Sequence, residues 1–518
     1  MAGRTLSVST FTGISAAALV VALILAALLA VISRAEWGGG LTAADWAAIR
    51  FTMWQAALSA LISVLLAIPV ARALARRHFR GRQVLVTLLG APFILPVIVA
   101  VLGLLAVFGR SGWVNGLLGW LGLPEVSIYG LQGVVLAHVF FNLPLATRLL
   151  LQGWQTIPAE RFRLAAQVGL TPGAMFRVIE IPLLRQIVPG VTALIFVICL
   201  TSFAVALTLG GGPRATTVEL AIYQAFRFDF DLGRAALLSV MQLVIAGSAA
   251  VAALWILPEA GFGSGQDRPV QRWDARSGLP KALDIVLIGL ASGFLLLPLW
   301  AVVLRGFVGL LQMPDTVWVA AGQSLMVAAG SILLLLVIAL SMAGWIATRA
   351  RGSVEAIGLL GLSASPLMIG TGWFILINPV LDPALLSLPV TALVNALMAL
   401  PFALRILVPR LRDTVQDFGR LSQTLGVRGR WLWRWVLLPR MAPQIGFAAG
   451  LTGALSVGDL GVIALFADLE RATLPLQMYR LMGAYRMEAA AGAALLLLAM
   501  ALAIFWLCDR GGRHLAGT

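Results

Sequence analysis

Pro158-Ala159-Glu160-Arg161-Phe162-Arg163-Leu164-Ala165-Ala166-Gln167-Val168-Gly169 runs on into Leu170-Thr171-Pro172-Gly173-Ala174-Met175-Phe176-Arg177-Val178-Ile179-Glu180-Ile181-Pro182, and the chain repeats this pattern 257 residues later. Under that shift Pro144 falls on Pro401, Ala146 on Ala403, Arg148 on Arg405, Leu164 on Leu421, Gly169 on Gly426, Arg177 on Arg434 and Pro182 on Pro439. Shared glycines and prolines carry the most weight, because each imposes backbone geometry that chance likeness between apolar helices would not keep in step. Locally the stretch predicts a short helix begun near Pro158 and ended by Gly169 in the left-handed conformation. Thr171 then caps a second helix with Pro172 at its first position. The second copy keeps the spacing of Gly426 and Pro439, with Trp433 in the place of Phe176. Each copy is thus an amphipathic hairpin.

Working outward, both copies sit between apolar runs of about 20 residues, the length that crosses a bilayer as a helix. Such runs fall at roughly 14–33, 52–73, 84–108, 129–151, 187–208 and 235–257, and again at roughly 283–304, 321–347, 356–379, 387–408, 443–466 and 488–508. The composition agrees. Of 518 residues 60% are apolar and 11% charged, and the mean hydropathy is +0.96. A soluble globular chain has about 25% charged residues, so soluble, disordered and fibrous classes are excluded. The net charge of +15 does not point to nucleic acid, because the basic residues lie in short loops between apolar runs rather than in one patch. The first run is too long for a signal-peptide core and has no convincing cleavage site, so it reads as an uncleaved anchor.

Arginine bias sets the expected orientation. Arg72, Arg76, Arg77, Arg80 and Arg82 form one cluster and Arg405 through Arg440 a larger one. Both face the cytoplasm if the two termini do. Spans two to six then repeat as spans eight to twelve, with the shift larger by about 15 residues in the early part. The extra residues fit a longer outward loop near 109–128. The expected fold is an all-α polytopic membrane protein of about twelve transmembrane helices. Its two parallel-repeat halves, 1–257 and 283–518, are related by a pseudo-two-fold along the membrane normal, with a pathway at their interface. The polar segment 258–282, with Gly261, Gly263, Gly265, Pro269 and Pro280, reads as a cytoplasmic linker.

Scarce residues exclude chemistry. Lys281 is the single lysine and lies in Pro280-Lys281-Ala282, so no Gly-Lys-Ser/Thr phosphate loop exists. If ATP drives this protein, another chain hydrolyses it. Cys199 and Cys508 read as packing residues, and His78, His138 and His514 have no ligand partners at metal spacing. Neither a catalytic residue, nor a cofactor, nor a metal is expected.

The spacing Ala165-x-x-x-Gly169 with Ile179-x-Ile181-Pro182, and Ser422-x-x-x-Gly426 with Val436-x-Leu438-Pro439, resembles the EAA loop of ABC importer membrane subunits. The resemblance implies loops at 158–182 and 415–439 that dock a cytoplasmic ATPase, with Ala165, Gly169, Ile179, Pro182, Ser422, Gly426, Val436 and Pro439 as the coupling residues. The chain departs from that family where Arg163 and Arg420 replace its usual Glu. A salt bridge from that Glu is therefore not implied here, whereas the turn is. Further stretches narrow the likeness: Tyr129 to Gly133, His138 to Pro144, Gly210 to Gln224 and Ser456 to Val462 resemble the thiamine ABC importer permeases. The likeness covers roughly residues 50–508. It implies import of thiamine, with its phosphates, across a bacterial inner membrane, delivery by a periplasmic substrate-binding protein, and two copies of an ATP-binding subunit. Fused permeases for ferric iron share the architecture, and import of ferric iron or another small solute remains the alternative within the class.

An ion-coupled secondary transporter also fits twelve spans in two parallel halves, but that class uses intramembrane charges and gives the paired hairpins no role. Asp459, between Gly458 and Gly461, is the clear intramembrane acid, and its repeat partner is Ser202. Both are candidate pathway residues. A carboxylate in a bilayer is expensive, so Asp459 either faces a passage, where it would offset the fixed charge of a thiazolium ring, or bonds backbone freed by its glycines or pairs with an Arg at a span end.

Overall fold

The computed structural model describes residues 7–89, 94–212, 215–256, 278–349, 365–427, 429–466 and 470–517. The linker expected at 258–282 therefore lies mostly outside the described residues. In chain order the helices are α1 Ser7–Arg34, α2 Ala43–Arg76, α3 Arg82–Leu88, α4 Val97–Phe108, α5 Trp113–Trp120, α6 Leu131–Gln155, α7 Ala159–Gln167, α8 Pro172–Met175, α9 Ile181–Leu200, α10 Ala204–Leu209, α11 Val218–Arg227 and α12 Leu232–Ile256. They continue as α13 Gly278–Gly309, α14 Asp315–Arg349, α15 Pro366–Ile377, α16 Ser387–Thr424, α17 Arg430–Leu432, α18 Leu438–Val457, α19 Gly461–Phe466, α20 Leu474–Gly483 and α21 Met487–Gly517. No strand occurs among the described residues. Lipid gives a backbone no hydrogen-bond partners, so a chain this apolar must satisfy itself within helices.

Among the described residues, eleven segments are long and apolar enough to cross a membrane. The twelfth expected run, 356–379, is described only as the 12-residue α15. Three expected spans are broken rather than continuous. Pro96 starts α4, so the run 84–108 is not one helix. Thr201-Ser202-Phe203 separates α9 from α10, and Gly458-Asp459-Leu460 separates α18 from α19. These last two breaks fall in register under the 257-residue shift, as do the π-turns Phe176–Glu180 and Trp433–Leu437 that precede α9 and α18. The long loop near 109–128 contains α5. It is tied by buried Asn115, whose amide donates to the Gly109 and Val126 carbonyls and accepts from the Val126 N–H, all at 2.9 Å.

Each half keeps a small buried polar junction at equivalent places. In the first, Ser59 Oγ meets His138 Nδ1 at 3.3 Å; in the second, Asn395 donates to Ser456 Oγ at 3.0 Å, and Ser456 meets Ser331 at 2.8 Å. Hydroxyls and amides in such positions find partners because an unpaired polar group there is costly.

The first helix of each half crosses to the other half. α1 packs on α14 and α15, and α13 packs on α2, α4 and α21. Glycines at matching positions make the seats: a Cβ on Gly103 would stand 2.5 Å from the Pro298 carbonyl oxygen, and one on Gly372 would collide with the Ala27 backbone. Close approach of small residues is how helices associate where no hydrophobic force separates them from lipid. Gly372→Leu is expected to lower stability by about 1–3 kcal/mol through overpacking, seen as a lower Tm in detergent. An unchanged Tm would show that the α1 seat is not tight.

Candidate coupling loops and translocation pathway

The first hairpin forms as its residues dictate. Pro158 caps α7, which ends at Gly169 with φ +71°. The Leu170 N–H donates to the Ala165 carbonyl at 3.0 Å and the Gly169 N–H to the Ala166 carbonyl at 3.1 Å, closing a Schellman-type turn. Thr171 Oγ1 accepts from the Ala174 N–H at 3.3 Å, with Pro172 opening α8. In the second copy Gly426 has φ +67°, and the Val427 N–H donates to the Ser422 carbonyl at 2.9 Å. The turns are the same, but the helix before the second is not a separate short element. α16 continues unbroken from the membrane through Thr424, because Val415 stands where Pro158 interrupts the first copy.

Ala165 and Ser422 are buried and anchor their turns, whereas Gly169 and Gly426 are exposed with open space around them. Ala165, Ile179 and Pro182 come together on a cavity of about 630 Å³ between α7 and the start of α9. Val436 and Pro439 are half-buried at the matching turn. Exposed apolar side chains also recur in register: Leu164 with Leu421, Val168 with Leu425 and Val178 with Trp435. Arg163 and Arg420 are exposed. Apolar groups left uncovered at equivalent points of two loops form surfaces that a partner would cover.

This face also holds the arginine clusters. Arg72 donates to Glu180 at 2.5 Å and stacks over the Phe176 ring, which fixes α2 to the π-turn. Arg76 and Arg77 both pair with the buried Asp284 near the start of α13. In the second half Arg440 stacks on Phe418 with 3.5 Å to the centroid. Both described chain ends lie on the same face: Gly13 sits against Trp345 at the end of α14, and Gly512 against Ala442 at the start of α18.

Deeper in the molecule the structure brings the two helix breaks together. A Cβ on Gly461 would stand 3.2 Å from Leu367, 3.6 Å from Asp459 and 3.9 Å from Phe203, so the start of α19 faces the first break across the space of one small side chain. Asp459 is half-buried; its Oδ1 accepts from the Gly461 N–H at 3.2 Å, and its Oδ2 has no hydrogen-bond partner among the described residues. The capping bond is local to the turn, and the second oxygen is buried.

One buried acid escaped the sequence reading. Glu219, at the start of α11, is fully buried and accepts from Ser365 Oγ at 2.8 Å. Gln242 is its other polar side-chain neighbour, and Oε1 has no well-formed hydrogen bond among the described residues. Ser365 is the cap of α15 in the other half, so this contact crosses the interface. In sequence the residue looks like an ordinary first-turn acid behind a capping threonine, Thr217. The available signal is that Pro475 holds the matching place at the start of α20.

No protein-family model matches the chain. Among curated proteins, the thiamine transport system permease protein ThiP of Brucella abortus is 40% identical over 504 residues, 93% of this chain and 92% of that protein. The protein of that name from Escherichia coli is 39% identical over 520 residues, 96% of each chain. The molybdenum transport system permease protein ModB of Mycobacterium bovis is 30% identical over 223 residues, which is 42% of this chain but 84% of that protein. On likeness that covers 93% and 96% of this chain, a polytopic helical membrane protein, the chain belongs to the thiamine transport system permease family.

Proposed function

We propose that this chain is the membrane-spanning permease of an ABC importer that carries thiamine, and its phosphates, from periplasm to cytoplasm of a bacterial inner membrane. Its closest supports are the two left-handed glycine turns, Gly169 and Gly426, presented on one face with apolar residues uncovered in register. Two such loops suit two copies of an ATP-binding subunit, one per half. That face is then cytoplasmic, as the arginine bias requires, and carries both termini. A periplasmic substrate-binding protein delivers thiamine to the opposite face. The halves are 1–257 and 283–518 in one chain, and the half-length match to a single permease fits that division.

The chain itself hydrolyses nothing in this scheme. ATP binding and release move the loops, and the halves re-pack around the neighbouring helix breaks at Ser202 and Asp459. Radiolabelled thiamine uptake in cells lacking this chain, with and without the chain restored, tests the reading. Restored uptake that needs the ATPase partner supports it; uptake independent of the ATPase favours a secondary carrier, and no uptake sinks the thiamine assignment. Asp459→Asn preserves size and hydrogen bonding while removing charge. Thiamine uptake is expected to fall about ten-fold at unchanged abundance, the effect of losing roughly 1.4 kcal/mol of charge compensation. Unchanged uptake rejects a charge role for Asp459.

A further inference from the structure

The two halves repeat, and so do the two interfaces between them, but their chemistry does not. One interface is made by α11 of the first half with α15 and α19 of the second; the other by α20 of the second half with α4 of the first, which packs on α10. On the α11–α15–α19 side, Phe226, Phe374 and Phe466 stack edge to face, with centroids 4.5 Å and 5.5 Å apart. They line a cavity of about 450 Å³ together with Phe230 and Asp382, with Arg227 also on its wall. At the other ends of these helices stand Glu219, Ser365 and Asp459. The matching positions on the α20–α4–α10 side are Met482, Leu105 and Leu209 at one end and Pro475, Pro96 and Ser202 at the other. Thus one side has three aromatic rings and two acids where the other has aliphatic side chains, prolines and a serine.

The three helices run in parallel. Phe226 is seven residues beyond Glu219 and Phe466 is seven beyond Asp459, so each ring lies about 10 Å along its helix from an acid. Packing alone does not require this asymmetry, since Met and Leu fill the equivalent space on the other side. Aromatic faces attract organic cations, and a cation arriving beside the Glu219 and Asp459 carboxyls favours their charged forms. The cavity lies within the size of small-molecule sites.

We propose that the passage is one-sided: an aromatic organic cation is taken into the Phe226–Phe374–Phe466 cavity and handed along α11 and α19 to Glu219 and Asp459, while the matching interface serves only as a structural hinge. This rests on the thiamine reading, whose thiazolium ring is such a cation.

The test uses cells without their own thiamine permease that express this chain with its ATPase and binding protein, and reads radiolabelled thiamine uptake per permease in the membrane. The triple exchange Phe226→Met, Phe374→Leu, Phe466→Leu installs the residues of the other interface, which the fold already accepts there. Uptake is expected to fall about ten-fold, on the scale of a desolvated cation–π contact. Glu219→Gln, which retains an acceptor for Ser365, is expected to cause a comparable loss, and Leu209→Met on the other interface less than a two-fold change. The single Phe466→Leu serves if the triple exchange lowers abundance. Uptake at wild-type level in either the Phe exchange or Glu219→Gln overturns the inference, as does an equal loss from Leu209→Met. Absence of uptake with the unaltered chain overturns the thiamine reading instead.

Discussion

Gly169→Val and Gly426→Val are each expected to reach the membrane at near-normal abundance and to lose thiamine uptake at least ten-fold. Both glycines have positive φ, +71° and +67°, where an L side chain clashes with its own backbone at a cost of about 1–2 kcal/mol. A branched Cβ costs more. Among the described residues nothing lies within 4 Å of either missing Cβ, so the strain is confined to the turn and does not spread into the packed helices. The turn relaxes by losing the Schellman bonds from Leu170 and Val427, and the helix before it moves relative to the helix after it. If these turns transmit force from an ATPase, that displacement uncouples hydrolysis from transport. ATPase activity of the purified complex would then persist or become independent of substrate. Normal uptake in both variants at normal abundance would remove the coupling role. A fall in abundance alone would mean that the glycines merely end helices.

Asp284→Ala is expected to have the largest effect on stability, about 3–5 kcal/mol, the range for breaking a buried ion pair. The Asp284 side chain is 1% exposed and accepts from Arg77 Nε at 2.7 Å and from Arg76. Both guanidiniums belong to α2 of the first half, whereas Asp284 lies in α13, which opens the second. The carboxylate therefore fastens the crossing helix to the half it covers. Removing it leaves two cations without this counter-charge and frees the end of α13. Membrane abundance and Tm in detergent are the measurements, and Asp284→Glu is expected to recover part of the loss. A Tm within a degree of the unaltered protein would show that α13 is held by its apolar contacts and the Gly103–Pro298 seat alone.

Membrane chains are unusually legible at the level of spans, because lipid leaves the backbone few options. The run from Leu131 to Gln155 is a helix in the structure as in the hydropathy pattern. The Gly169 turn is equally local: a helix former run, a glycine, then Thr-Pro leaves one favourable backbone path. Even the unequal hairpins are written in single residues, Pro158 against Val415, beside the shared spacing around Gly169 and Gly426. The breaks at Ser202 and Asp459 were less readable, since short gaps without proline look like continuous apolar helix.

By itself, then, the sequence determined the all-helical class, the repeat and its register, the two left-handed glycine turns and the absence of a nucleotide loop. Each of these depends on hydropathy or on backbone chemistry within a few residues. Only the tertiary structure decided that α1 and α13 exchange halves, that Asp284 meets Arg76 and Arg77 across more than 200 residues, and that the two helix breaks lie near each other. It alone set Glu219 against Ser365 and gathered Phe226, Phe374 and Phe466 on one interface. Those outcomes depend on which helix faces fit together. In a chain where nearly every face is apolar, burial does not distinguish one pairing from another; close glycine contacts and a few buried charges do, and they act only once distant segments meet.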